Sequence, residues 1–333
     1  MSNPLDHQRI QKAIEDFYKI NSITTARIEN DDNLKNMVEK VRRWLKPVKA
    51  EDQDYFLMLL KNFNYFDRVN VGDGFRSVFN QFRSAIGDLS ETAYLVIGSK
   101  CGIFNGAHEI LPIFRRVNDI SKDMIASDPR AFYDENKNSI IKNIVFIDDI
   151  IGSGTTFEYY FKQLKKSCPE LIKGKDIYVL SLVILPKGKK KINKMKFQSY
   201  SRQSMEKVFD NITIFGDKKT GSNVRKQIKF YEKKVLFPEK ISVLGYKQSE
   251  GLVAFFHNTP NNTLASFWAP SSENYEWFPL FPREERGQGF KTFNNPKNDL
   301  KFLQRIKKTK KKLLDRILLE IGYAPIQDKE SIT

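Results

Sequence analysis

Two acidic residues in succession, Asp148 and Asp149, end an apolar run, Ile144-Val145-Phe146-Ile147. They are followed by Ile150 and Ile151 and then by Gly152-Ser153-Gly154-Thr155-Thr156. Like charges at the end of a buried strand repel each other and lose solvation, so the pair is costly unless a ligand beyond the strand uses it. A sugar diol is such a ligand. The glycines, serine and threonines make a tight turn whose backbone N–H groups and hydroxyls face the start of the next helix, an arrangement that binds phosphate. Acidic pair and turn together match the two ends of a ribose 5-phosphate. The alternative is a strand that happens to end in Asp-Asp before an ordinary Gly-Ser turn.

These residues work only if a strand precedes them and a helix follows. After Thr156, Phe157, Tyr160, Phe161 and Leu164 fall at i, i+3, i+4 and i+7, the spacing of a helix with one apolar face. Ile177 to Leu185 then reads as another buried strand, which makes a βαβ unit. Such units build parallel sheets whose ligands gather beyond the carboxyl ends of the strands. An earlier strand spans Ala93 to Ile97, reached through a helix containing Phe75, Val78, Phe79, Phe82 and Ile86. A helix with Phe104, Ala107, Leu111 and Phe114 on one face follows it. The polar stretch from Asn118 to Ser139 lacks periodicity and reads as a mobile loop. Further strands are expected at Ile212 to Phe215, Ile241 to Leu244 and Leu252 to Phe256.

Upstream, Ile10, Ile14 and Phe17, then Leu34, Met37, Val38, Val41 and Leu45 recur at three and four, which predicts helices through the first sixty-odd residues. The expected organisation is a helical cap over 1–70, an α/β core over 71–257 and a C-terminal segment over 258–333.

The strand, acidic pair, two apolar residues and Gly/Ser/Thr turn resemble the signature of the type I phosphoribosyltransferase family. That resemblance implies a parallel-sheet phosphoribosyltransferase fold, here with an N-terminal helical cap and a C-terminal extension. It implies that Asp148 and Asp149 bind the ribose 2- and 3-hydroxyls of phosphoribosyl pyrophosphate and that Gly152, Ser153, Gly154, Thr155 and Thr156 hold its 5-phosphate. Magnesium would arrive with the pyrophosphate and not on a metal site of the protein alone. Family members also bind pyrophosphate with a short loop after an earlier strand, the place occupied by Gly98-Ser99-Lys100-Cys101-Gly102. There Ser99 and Lys100 would contact substrate, and the Lys100 ammonium would join the two aspartates in catalysis by stabilising the leaving group. A plain strand-to-helix connection with a solvent-facing lysine is the other reading of that loop.

No segment matches the base-recognition elements of purine, orotate or uracil salvage enzymes, so the acceptor is unspecified. The stretch from His257 to Leu264, followed by Phe267-Trp268 and by Trp277 to Arg283, offers amides and aromatics as an acceptor pocket, or else packs as a rigid loop over the sheet edge. The tail resembles a divergent phosphoribosyltransferase group of bacterial conflict and antiphage systems, retrons included. That resemblance implies an effector working beside an ATPase and a reverse transcriptase, with ribose 5-phosphate passed to a nucleotide, nucleic acid or protein. A non-catalytic sensor of a phosphoribosyl ligand, and a scaffold for nucleic acid or a protein partner, are the competing readings.

The chain has 333 residues, 56 Lys+Arg against 40 Asp+Glu and a formal charge of +16. Such a surface favours polyanionic partners, nucleic acid or a ribonucleoprotein first. The basic residues cluster around Lys189, Lys190 and Lys191 and in a helix expected from Leu300 to Ile321, where Lys308, Lys311 and Lys312 stand beside an apolar stripe. A solvated helix face is the simpler explanation of either cluster. Cys101 and Cys168 lie far apart with no CxxC spacing, and His7, His108 and His257 are scattered, so neither a disulfide framework nor a protein-ligated metal is indicated. No apolar run approaches a membrane span, and the cysteine usage suits a reducing cytoplasm.

Overall fold

The computed structural model describes residues 4–98, 106–137, 140–234, 243–269 and 277–283. The chain opens with four helices, α1 (Pro4–Ile20), α2 (Thr25–Glu29), α3 (Met37–Leu45) and α4 (Gln53–Lys61). Ile10, Ile14, Phe17, Leu34, Met37, Val41 and Leu45, the periodic residues of the sequence, are buried. A three-residue strand, β1 (Asn64–Phe66), leads into the long helix α5 (Arg68–Ile86). The Asp67 side chain caps α5 by accepting from the Asn70 N–H, and the helix stops at Gly87, whose φ of +80° is left-handed. Val71, Phe75, Val78, Phe79 and Phe82 form its buried face.

The strands that hold the site follow, each after a helical connection. They are β2 (Thr92–Val96), helices α6 (Gly106–Val117) and α7 (Pro129–Glu135), β3 (Asn143–Ile151), helices α8 (Thr155–Ser167) and α9 (Pro169–Ile172), β4 (Asp176–Ile184), helix α10 (Pro186–Lys194) and β5 (Gln198–Ser204). The four strands make one parallel sheet in the order β2-β3-β4-β5. Alternation along β3 divides the core: Val145 and Ile147 pack with Phe75, Phe79, Phe82 and Phe114 on one face, while Ile144 and Phe146 pack with Phe157, Leu164 and Ile192 on the other. This is an α/β parallel sheet covered on both faces, as the βαβ reading required.

Two expectations change here, and one strand was not foreseen. The stretch from Asn118 onward is not a bare loop: it contains a 3-10 turn at Lys122–Met124 and α7, capped by Asp128 with Pro129 in its first turn. The Ala126 N–H donates to the Tyr94 carbonyl, which ties this stretch to β2. Ile212–Phe215 is not a strand but a short helix, α11, capped by Asn211. The polar residues of β5, by contrast, do form a strand, at the edge of the sheet where apolar alternation is not needed.

Helix α12 (Lys218–Lys234), strand β6 (Val253–Phe255) and helix α13 (Ala265–Trp268) complete the described fold. Here β6 pairs with β1 in a separate two-stranded parallel sheet. Val208, Phe209, Val224, Ile228, Phe267, Trp277 and Phe281 share a third core with Phe17, Trp44, Phe56 and Phe63 of the N-terminal helices. Residues from both ends of the described chain therefore close one apolar body. The strand expected at 241–244 is not found in its described half, where Val243 and Leu244 lie in a turn, while Ile241, Ser242 and the basic helix expected from Leu300 lie outside the described residues. Among the described residues no helix is long and apolar enough to cross a membrane.

Candidate functional site

Asp148 and Asp149 stand in the last turn of pleat of β3, with Ile151 as the final strand residue. Asp148 pairs in register with Ser181 of β4 and is 9% exposed. Its Oδ1 accepts from the Asp149 N–H at 3.0 Å, and Asp149 Oδ1 accepts from the Ile150 N–H at 2.7 Å. Each carboxylate thus has one oxygen turned back on the chain.

The outer oxygen of Asp149 meets a residue 108 positions away. His257 Nε2–H donates to Asp149 Oδ2 at 2.9 Å, with the imidazole stacked on Phe255 and edge-on to Phe256. Its side chain is 4% exposed, and its Nδ1 is buried with no partner. The two aspartates part company electrostatically. Burial first, and then the neighbouring Asp149 charge, push Asp148 well above the usual carboxylate range. Burial works the same way on Asp149, but the hydrogen bond and charge of His257 outweigh it and hold Asp149 below that range. A carboxyl inclined to keep its proton thus sits beside a carboxylate fixed in its ionised form, a pairing suited to two adjacent hydroxyls.

Past Ile151 the chain turns sharply into α8. Gly154 is the N-cap with φ +69°, which an L side chain adopts at a cost, and Ser153 Oγ lies 2.9 Å from Thr155 Oγ1. Gly152 answers a different need. A Cβ there would come within 2.3 Å of Asn262 Oδ1, so the Asn262 amide packs against the turn only because no side chain intervenes. Gly188 does the same from α10, where a Cβ would lie 2.5 Å from the Ile151 carbonyl. The turn is therefore enclosed by α10 on one side and by Asn262 on another. Lys247 crosses it as well, its Nζ donating to Thr155 Oγ1 at 3.4 Å.

The residues singled out in the sequence come together unevenly. Asp148, Asp149, Gly152, Ser153, Gly154, Thr155 and Thr156 follow one another from the end of β3 to the start of α8. Gly98 lies after β2, with the Tyr160 ring of α8 so near that a Cβ would approach it to 2.8 Å. Ser99 and Lys100 lie outside the described residues, as do Lys308, Lys311 and Lys312. Lys189 and Lys190 are exposed on α10, whereas Lys191 forms an ion pair with Glu158 of α8. That lysine's hydrogen bond and a second from Lys162 bring the Glu158 carboxyl down to about 2. Lys191 thus braces α10 on α8.

The aromatic residues proposed as a stacking pocket are core. Trp277, Phe267 and Phe281 are at most 1% exposed, and the indole N–H groups of Trp44 and Trp277 both donate to the Ser266 carbonyl. Of the two readings of that stretch, the packed loop is the one observed, with His257 and Asn262 as the members that reach the site.

Among the described residues no cluster of three His, Cys, Asp or Glu side chains is placed to hold a metal. Each Asp149 oxygen has one partner, the Ile150 N–H or His257, and keeps further acceptor capacity.

The profile of the family PRTase-CE matches residues 41–283, which is 243 of the 333 residues. No curated protein matches the chain. Among solved structures, a xanthine-guanine-hypoxanthine phosphoribosyltransferase of Helicobacter pylori is similar over 43% of this chain and 83% of its own, at 15% identity and a TM-score of 0.26. A hypothetical protein of Neisseria gonorrhoeae with bound ppGpp is similar over 48% of this chain and 97% of its own, at 12% identity and a TM-score of 0.28.

Proposed function

The chain belongs to the PRTase-CE family, and from that premise we propose that it binds phosphoribosyl pyrophosphate at Asp148–Thr156 and transfers ribose 5-phosphate to an acceptor. The observation that carries this reading is the acidic pair at the end of β3, one member kept ionised by His257, directly ahead of the glycine turn that starts α8. The spacing suits one ligand with a diol at one end and a phosphate at the other.

In this reading Asp149 accepts a hydrogen bond from one ribose hydroxyl, and Asp148, whose proton is retained more easily, donates to or accepts from the other. The turn's N–H groups and the hydroxyls of Ser153 and Thr155 take the 5-phosphate, helped by the positive end of α8. With both ends of the sugar fixed, the bond from C1 to pyrophosphate breaks through an oxocarbenium-like state, and the nearby carboxylate charge favours it. Magnesium, carried on the phosphates, would neutralise the leaving pyrophosphate. Lys100 is proposed for the same role.

The acceptor is proposed as a nucleotide, nucleic acid or protein. The net charge of +16 and the exposed Lys189 and Lys190 support a polyanionic partner. An antiphage, retron-type setting with an ATPase and a reverse transcriptase rests on the resemblance of the tail. The reading is tested by following pyrophosphate release from phosphoribosyl pyrophosphate and magnesium while nucleosides, oligonucleotides and proteins are supplied in turn. Release that needs an acceptor and fails in Asp149→Asn supports transfer. Tight binding with no release under any acceptor would point to a sensor, and nucleic-acid binding unaffected by loss of both aspartates would point to a scaffold.

A further inference from the structure

Two side chains from outside the βαβ unit close on the phosphate turn, and neither belongs to the motif that identifies it. We infer that Lys247 and Asn262 are phosphate-binding residues of this site: the Lys247 ammonium and the Asn262 Nδ2–H donate to the 5-phosphate held by the turn. The inference rests on the proposed binding of a phosphoribosyl ligand and deepens it.

Asn262 carries the stronger part. It is 8% exposed, its amide lies against Gly152, and its Nδ2 is buried without a hydrogen-bond partner. An amide N–H left unpaired in a buried place is costly, and an anion received by the turn would supply the acceptor it lacks. The placement is rigid. The Asn262 carbonyl accepts from the Gly251 N–H at 2.9 Å and from Ser249 Oγ–H at 2.8 Å, so the side chain is held over the turn from behind.

Lys247 brings the charge. Its ammonium reaches Thr155 Oγ1 at 3.4 Å from an exposed position, and its own carbonyl accepts from Lys187 Nζ at 2.9 Å, which fastens the loop to α10. The loop that presents it concentrates unusual backbone. Leu244, Lys247, Gln248 and Glu250 all have positive φ, between 51° and 60°, and Gly245 has φ +75°. Strain gathered in one short loop is retained where the surroundings enforce it. Glu250, which is buried, supplies that enforcement by pairing with Lys207 and Arg225.

The register of the two approaching residues fits one ligand. His257 meets Asp149 at the diol end, and Asn262, five residues on, meets Gly152 at the phosphate end. One segment therefore runs alongside the ligand from sugar to phosphate.

The test is calorimetric titration of the full chain with ribose 5-phosphate, phosphoribosyl pyrophosphate with magnesium, and magnesium pyrophosphate alone. Lys247→Ala and Asn262→Ala should each weaken the first two ligands by the same factor, about ten-fold for loss of a charge-assisted or buried donor. Magnesium pyrophosphate, which has no 5-phosphate, should be unaffected. Lys247→Arg should recover most of the loss, and because Lys247 is exposed its variants report even if Asn262→Ala proves unstable. Wild-type binding with unchanged affinity in Lys247→Ala and Asn262→Ala would overturn the inference and leave the proposed function standing. A wild type that binds neither sugar phosphate removes the proposed function, and the inference goes with it.

Discussion

Asp149 and His257 form the most informative contact in the molecule, because it decides which of two adjacent carboxyls stays charged. With His257 replaced by glutamine, the imidazole's charge and hydrogen bond no longer offset burial, and with only the hydrogen bonds of Asp148 and Ile150 still opposing it, the Asp149 carboxyl moves upward. His257→Gln should weaken phosphoribosyl pyrophosphate by about ten-fold at neutral pH. It should also steepen the loss of affinity on acidification, since Asp149 then takes up its proton at higher pH. Titrations at pH 7.5 and pH 5, by calorimetry, check both. Asp148 should behave in the opposite way. Its folded pKa is raised, so the stability it contributes is present below about pH 4 and is lost as pH rises through the raised value. Asp148→Asn should therefore raise stability at pH 8 while lowering ligand affinity, a trade expected of a functional carboxyl. Thermal melts at pH 8 beside the titration decide it. The two aspartates and the turn were legible in the sequence because the whole motif is contiguous. The partnership of His257, 108 residues away, was not, since no local spacing connects it to Asp149. Its segment stood out only as a cluster of amides and aromatics.

At the scale of elements, the site depends on how closely α10, the turn and residues 244–262 pack. Glu232 of α12 anchors the last of these. Its carboxylate accepts from the Leu244 N–H and the Ser266 N–H, yet burial dominates and raises its pKa to about 7. For a raised acid, stability is fully present below the ordinary value near 4.5 and falls as pH climbs to about 7. A shift of that size corresponds to roughly 3 kcal/mol, with the opposing hydrogen bonds already included. Denaturant titrations between pH 5 and pH 8 should show this decline, and Glu232→Gln should flatten it. Gly188→Ala tests the other wall. A Cβ 2.5 Å from the Ile151 carbonyl must displace backbone, so the variant should lose about 1–3 kcal/mol and bind ligand more weakly. Strands β2, β3 and β4 were readable because apolar runs of four to nine residues announce buried strands. β5 was not, being an edge strand of Gln, Ser, Tyr and Arg, and α11 was mistaken for a strand because four residues are too few to show a period.

At the scale of the whole molecule, the described residues build three apolar cores, and one is closed by residues from both ends of the described chain. Trp44 sits in that core with Phe56 and Phe267 at ring-centroid distances of 5.3 and 4.8 Å, and it donates to the Ser266 carbonyl. Trp44→Ala should cost about 3–5 kcal/mol and should loosen the segment that carries His257 and Asn262, so that ligand affinity falls although Trp44 touches neither. The N-terminal helices were predictable from period alone. That they pack with residues 208–281 was not, because the pairing of distant apolar faces leaves no mark in either segment. The claim on which the rest depends is that Asp148 and Asp149 bind the diol of a phosphoribosyl ligand. Isothermal titration with phosphoribosyl pyrophosphate and magnesium, for the wild type and for Asp148→Asn with Asp149→Asn, tests it most directly. Binding by the wild type that disappears in the double variant is the predicted result, whereas no binding by the wild type, or equal binding by both, would contradict it.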